Sequence, residues 1–435
     1  MKKSNVNVMA NFFYGDRAIW IIFMFLACCS LIEVFSATSA ISYSLKTPPI
    51  VRHASILLIG TALIAVLART HYRFFSLAIL LLPISILLLM ATPFFGVSEN
   101  NAYRWLPVFG IQFQPSEFGK LACVVYVAFW LSKRRKLSGE RIYKFIFWGI
   151  LPVCFLILPF NLSTAFLLGS VCFLMMFIGQ IPFKKLLHFC TTIFVLGLVF
   201  VLAMYAIPQK TMKIYFPRAT VWQTRVTNFF ESKTATDDKT NDTYIHSPDQ
   251  LTYAKVAIAR GGVFGQLPGR SVQRDFLPQA YSDFIFAIII EELGVAGGMG
   301  VLLLYVMLMI RVGVIARKCE KLFPKYLVLG CGLLIVAQAL FHMAVNVGLF
   351  PVTGQPLPLI SRGGTSSLLT CVYIGIILSV SHHGAHMGKT DEEEEEDEGE
   401  EEEEEDNDME ELTTKIEEDS EKNPIFAVES TVSET

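Results

Sequence analysis

Residues 283–312 read DFIFAIIIEELGVAGGMGVLLLYVMLMIRV, thirty positions of which only Asp283, Glu291, Glu292 and Arg311 are charged. A bilayer's hydrocarbon core is about 30 Å thick and takes roughly 20 mostly apolar residues per helix, so this stretch is long enough to cross it, with its acids gathered at one end. Nine more stretches share the pattern, near residues 17–39, 51–68, 75–95, 117–132, 145–160, 163–180, 186–207, 325–349 and 364–381. The division of 145–180 into two helices rests on Pro159-Phe160-Asn161, a helix-ending combination. Of the 435 residues 53% are hydrophobic, and the mean hydropathy is +0.49, more apolar side chain than a soluble core of this size hides. The expected fold class is all-α: a polytopic membrane protein of about ten transmembrane helices with a large extracytoplasmic loop between helices 7 and 8.

The basic residues orient these spans. Lys2-Lys3, Arg69 with Arg73, the run 133–136, Lys184-Lys185 and the stretch from Arg311 to Lys325 occupy alternate connections, which the positive-inside rule assigns to the cytoplasm. Both termini are then inside. The first apolar run, Ala18 to Phe35, lacks a small-residue cleavage site and reads as a retained helix. Residues 1–16 form a cytoplasmic N-terminus and 17–383 the membrane domain, within which 208–282 is a periplasmic loop too long for a passive turn. In that loop Val221 to Phe230 suggests an interfacial helix, Ser232 to Asp249 is polar, and a helix over Leu251 to Arg260 stops at Gly261-Gly262. Residues 384–435 are an acidic tail expected to be disordered in the cytoplasm. With 22 acids between Asp391 and Glu421 it repels itself and buries no core; the alternative is a recruiting surface for a basic partner. Residues 1–390 carry 34 Lys and Arg against 15 acids. The nine cysteines lie in or beside spans without a Cys-x-x-Cys pair, which argues against a disulfide framework and a zinc site.

Ionisable groups at membrane depth are costly and mark function or internal pairing. Asp283 stands where the long loop re-enters the membrane. A carboxylate at that water interface suits a general base acting on a sugar hydroxyl, and an aspartate before an apolar run is equally a helix cap. Glu291 and Glu292 lie roughly 12 Å further along a helix at about 1.5 Å per residue, too deep to share an atom with Asp283, and are expected to pair with basic or amide groups inside the bundle. In the connection Asn101 to Lys120, Arg104 and Lys120 would hold a pyrophosphate. The competing reading is an interfacial helix anchored by Trp105, with Glu117 and Lys120 paired to each other. Gly261, Gly262, Gly265 and Gly269 lack the Gly-Lys-Ser/Thr of a nucleotide loop. The broken segment from Asn346 to Gly364, with Pro351, Pro356 and Pro358, must line a cavity or be covered by protein.

In order along the chain, Arg104-Trp105 through Gln114, Ser116 and Glu117 to Lys120, Gln250 through Gly261-Gly262 to Gln273, Leu277 through Asp283 to Gly294, and Asn346 through Pro356-Leu-Pro358 to Gly364 resemble the SEDS family over about residues 15–383. Gly269 to Gln273 and Arg218 to Phe230 look more like its FtsW members than its RodA members. The resemblance implies a peptidoglycan glycosyltransferase of septal cell-wall synthesis in the bacterial inner membrane. It would polymerise lipid II and release undecaprenyl pyrophosphate, with Asp283 in the place of the family's essential aspartate. Substrate binding is expected from Arg104, Trp105, Gln114, Ser116, Glu117, Lys120, Arg218, Gln273, Ser361 and Arg362. The implied partners are lipid II, membrane lipid, a class B penicillin-binding protein and other divisome proteins, with no nucleic acid. No cofactor is required; a divalent cation, Mg or Mn, would share the pyrophosphate, though no ligand cluster demands one. Two positions depart from the family pattern: Asn161 stands where many members have an acid, and Arg362 where the common motif has Tyr. The alternative from another class is a lipid II flippase, and a third reading is a scaffold for a transpeptidase.

Overall fold

The computed structural model of the chain describes residues 14–42, 49–99, 102–108, 111–206, 250–277 and 279–383. Arg218, the interfacial helix expected over 221–230, the polar stretch 232–249 and the acidic tail lie outside the described residues. Each of the ten apolar stretches coincides with a helix: α1 (Arg17–Ser42), α2 (Pro49–Arg69), α3 (Leu81–Phe95, entered through a 3-10 turn over Tyr72–Leu80), α4 (Pro115–Ser132), α5 (Gly139–Ile157), α6 (Leu162–Ile178), α7 (Phe183–Ala206), and, after α8 (Gln250–Gly261), α9 (Ile285–Lys318), α10 (Leu322–Asn346) and α11 (Gly364–His383). Six are long and apolar enough to cross a membrane: α1, α2, the 3-10 turn with α3, α9, α10 and α11. Helix α8 is the loop helix expected to stop at Gly261.

In lipid, helices associate through close packing of small residues rather than through hydrophobicity. The α2–α11 crossing shows this: a Cβ on Gly60 would lie 2.5 Å from Cys371 Sγ, and one on Gly375 2.8 Å from Leu67 Cβ. At the break between α5 and α6, Asn161 caps the new helix, its Oδ1 accepting the Thr164 N–H at 3.3 Å. The bundle centre is α10, which contacts α4, α6, α9 and α11.

Two features differ from the hydropathy reading. The connection after α3 is not an interfacial helix but a small antiparallel meander, β1 (Val97–Glu99), β2 (Ala102–Val108) and β3 (Ile111–Phe113), paired in that order. Its mix of aromatic, β-branched and polar residues suits a half-covered pleated surface, and it lies over the ends of α3, α4 and α11.

The second difference is in α9. It is broken at Gly294, whose φ of 74° and ψ of 179° are open only to glycine. The loop after α8 inserts at this break. Gln266 N–H donates to Glu291 O at 3.0 Å and Leu267 N–H to Glu292 O at 2.8 Å, while Val295 and Ala296 N–H donate to Gly262 O at 2.9 Å and Val263 O at 3.1 Å. The polar backbone freed by the break is thus satisfied by protein, the condition for non-helical backbone at membrane depth.

Candidate active site at the mouth of a broken helix

Asp283 sits half-buried in the turn before α9. Phe284 is the N-cap of α9 and offers no side-chain bond; the Ala287 N–H is shared between Phe284 O at 3.0 Å and Asn346 Oδ1 at 3.1 Å. The carboxylate lies at the positive end of the α9 helix dipole, which favours its charge. Ser282 Oγ donates to Asp283 Oδ1 at 3.1 Å. On the opposite side Gly354 comes so close that a Cβ there would lie 3.1 Å from Asp283 Oδ2. This glycine, at φ 69°, lets the backbone approach the carboxylate without crowding it.

The segment between α10 and α11 wraps this turn. Arg362 N–H donates to Tyr281 O at 3.0 Å, and its guanidinium lies 5.0 Å from the Tyr281 ring centroid, a cation–π distance. Ser361 Oγ donates to Ser282 O at 2.7 Å and accepts the Leu357 N–H at 2.7 Å. Arg362 is half-buried and Ser361 buried. Asp283, Ser361 and Arg362, chosen from sequence, are therefore brought together.

A second polar cluster lies on the other side of the same segment. Lys120, fully buried, places Nζ 2.8 Å from Glu117 Oε1 and donates to Gln338 Oε1 at 2.7 Å; Gln338 Nε2 donates in turn to Pro356 O at 3.0 Å. Ser366 Oγ donates to Glu117 Oε2 at 3.4 Å. The Glu117–Lys120 pairing weighed from sequence is present, and it engages the ammonium expected to clamp pyrophosphate, which is linked through Gln338 to the Pro356 carbonyl. Ser116, buried, accepts from Gln114 Nε2 at 3.1 Å. Arg104 and Trp105 are placed on β2, Trp105 opposite Val97.

Gln273 falls elsewhere, beneath the loop that fills the break in α9. Its N–H faces the Glu291 carboxylate, 3.3 Å from Oε2, which also accepts Ser271 Oγ and, at 3.2 Å, the Val272 N–H, with Arg260 Nε at 3.6 Å. Glu292 accepts the Gly269 and Ser271 N–H groups and Ser36 Oγ. The two glutamates thus pair with amides and an arginine, as expected of them, and anchor the loop. Glu33, one turn before Ser36 on α1, is fully buried, and neither of its carboxyl oxygens has a hydrogen-bond partner.

The contribution of α10 was not foreseen. Gln338, His342 and Asn346 recur every four residues, which places them on one helix face, and that polar stripe in an otherwise apolar span was the available signal. His342 Nδ1 lies 2.7 Å from Gln355 O; a carbonyl only accepts, so the ring proton is on Nδ1. Gln355 Nε2 reaches Thr164 Oγ1 at 2.7 Å and Asn161 Oδ1 at 3.4 Å, so Asn161 is a helix cap tied to the central segment. Among the described residues no group of three or more His, Cys, Asp or Glu converges as metal ligands.

Comparisons with known proteins bear on the family and the fold. Residues 16–386 match the FtsW/RodA/SpoVE family model, described as cell cycle proteins. The probable peptidoglycan glycosyltransferase FtsW of Legionella pneumophila is 31% identical over 344 residues, covering 77% of this chain and 81% of that one. The protein of the same name from Nitrosococcus halophilus is 34% identical over 308 residues, 69% and 73% of the two chains. Among solved structures, a chain of a peptidoglycan synthase complex coordinating polymerization and crosslinking aligns with a TM-score of 0.65 at 24% identity, over 86% of this chain and 99% of that one. The rod shape determining protein RodA of Thermus thermophilus aligns at 0.59 and 23% identity, over 85% and 97%. At these identities the two structures show the shared fold. With the family model spanning the whole membrane domain, this chain belongs to the FtsW/RodA/SpoVE family of cell cycle proteins.

Proposed function

We propose that this chain is a peptidoglycan glycosyltransferase that polymerises lipid II into glycan strands during septal wall synthesis. The observation that carries the reading is the Asp283 carboxylate, held half-buried at a helix mouth beside the bare backbone of Gly354. The donor sugar is α-linked to pyrophosphate and the product bond is β, so one in-line displacement with inversion suffices. Asp283 takes the proton of the acceptor's 4-hydroxyl as that oxygen bonds the donor's anomeric carbon, and the bond from that carbon to undecaprenyl pyrophosphate breaks. Arg362 at the turn and Arg104 on β2 supply positive charge to the leaving group; a divalent cation travelling with the pyrophosphate would add to it.

In the orientation this requires, Asp283 faces outside and the opposite end faces the cytoplasm. That end gathers basic connections: Arg134 Nη1 donates to Gly179 O at 2.7 Å, and Lys185 pairs with Glu140 at 3.3 Å. A class B penicillin-binding protein would crosslink the strands made here, at the septum. The break in α9 would favour a flippase, since discontinuous helices mark many transporters; its backbone groups, however, are taken up by the loop.

The test is lipid II polymerisation by purified protein, with glycan length and lipid translocation followed on the same sample. Asp283→Asn should lower polymerisation by about 10²- to 10⁴-fold, the usual contribution of a positioned base. Polymerisation at the wild-type rate would remove the base assignment. Translocation without glycan products would establish the flippase instead.

A further inference from the structure

Three consecutive carbonyls lead into α9, and each receives a donor from the end of α10 or the segment after it. Tyr281 O accepts the Arg362 N–H at 3.0 Å, Ser282 O accepts Ser361 Oγ at 2.7 Å, and Asp283 O accepts Asn346 Nδ2 at 3.1 Å. We infer that Asn346 and Ser361 are positioning residues for Asp283, fixing the turn so that its carboxylate meets the acceptor hydroxyl at one height and angle. This rests on Asp283 being the general base.

Asn346 is fully buried at the last position of α10. Its amide reaches two residues on opposite sides of Phe284, with Nδ2 on Asp283 O and Oδ1 on the Ala287 N–H at 3.1 Å. The reverse placement of oxygen and nitrogen is excluded, because Oδ1 would then face the carbonyl oxygens of Asp283 and His342, the latter 2.9 Å from Nδ2. The ring of His342 closes the arrangement. Its proton is committed to Gln355 O, so Nε2 faces Asn346 Nδ2 at 3.3 Å as an acceptor, sharing the two amide hydrogens with Asp283 O and His342 O. One turn of α10 therefore holds the Asp283 turn and, through Gln355, the residue after Gly354. These are the two backbones between which the carboxylate lies.

Ser361 differs from the binding role expected of it. Its hydroxyl hydrogen goes to Ser282 O and its oxygen accepts the Leu357 N–H, both within the protein, and the side chain is buried. It acts on the turn next to Asp283 and not on the sugar. A base displaced by about 1 Å from its productive position loses on the order of 10²-fold in rate, so these tethers are expected to appear in kcat and not in substrate affinity.

The experiment uses the full-length protein in lipid with purified lipid II. Ser361→Ala and Asn346→Ala should each lower kcat roughly 10- to 100-fold with KM within about threefold. Ser361→Thr, which keeps the hydroxyl, should restore most of the rate. Asn346→Asp keeps the acceptor for Ala287 but loses the donor to Asp283 O, and should stay as slow as Asn346→Ala. The reactivity of Asp283 toward a water-soluble carbodiimide, read by mass spectrometry, needs no turnover and should change in Ser361→Ala and return in Ser361→Thr. Wild-type kcat in Ser361→Ala, or a loss that Ser361→Thr does not restore, would overturn the inference. If Asp283→Asn is itself fully active, the base assignment fails; if Asp283→Asn is dead while Ser361→Ala is unimpaired, only the positioning role fails.

Discussion

Gly294→Ala puts a methyl group into the break of α9, and its cost follows from the backbone around it. The φ of 74° and ψ of 179° belong to a region that costs a residue with a Cβ on the order of 1–3 kcal/mol. A Cβ built there would lie 2.1 Å from Val263 O, 2.5 Å from the Val263 carbonyl carbon and 2.6 Å from Gly265 N. All three are backbone atoms, so the clash is relieved only if the loop withdraws. That loop is held across the break by the four backbone hydrogen bonds of Gln266, Leu267, Val295 and Ala296. If two of them are lost with their groups still buried, the cost is about 1–3 kcal/mol each. The total of roughly 3–9 kcal/mol rivals the ~5–15 kcal/mol that stabilises a typical protein. Purified Gly294→Ala should therefore yield little folded protein, or unfold at a melting temperature lower by about 10 °C or more. Gly300→Ala is the control: nothing lies within 4 Å of its Cβ, and on an exposed helical face the change should be neutral or stabilise by up to about 1 kcal/mol. A Gly294→Ala protein with the wild-type melting temperature would refute the account of the break.

Lys120→Met should destabilise by about 3–5 kcal/mol, because it leaves Glu117 charged and uncompensated in the bundle; thermal unfolding of Lys120→Met with Glu117→Gln should recover much of that loss. Glu33→Leu should hold or raise the melting temperature, since it removes a buried carboxyl without partners, a group that costs about 1–3 kcal/mol; a clear fall would mean that Glu33 serves another group.

Much of this arrangement was legible in the residues. The apolar stretches are long, their interruptions carry Pro, Gly or basic clusters, and hydropathy alone placed the helices. Glu117 and Lys120, three apart on a helix, were readable as a pair, and Glu291 and Glu292 as internally satisfied acids, because charge at membrane depth leaves few alternatives. The break at Gly294 was not legible: glycine among apolar residues reads as close helix packing, and its conformation depends on Val263 to Gly265, some thirty residues away in sequence. Nor could the Asp283 turn be assembled in advance. Its supports, Asn346 and Ser361, come from the far side of α9, and which helix end meets which turn is decided by packing that leaves no periodic trace. The sheet of residues 97–113 escaped because a short meander of mixed residues has the same composition as an interfacial helix.

The Glu117–Lys120 pair also bears on how the protein is made. A span carrying one buried ion would have to wait in the translocon until a partner helix arrived with the countercharge. Here both charges travel on α4 one turn apart, so the segment enters the bundle with no net charge of its own. Gln338 lies more than two hundred residues later. It joins an ion pair already housed in the membrane, and ribosome pauses between the two helices need leave no stranded charge.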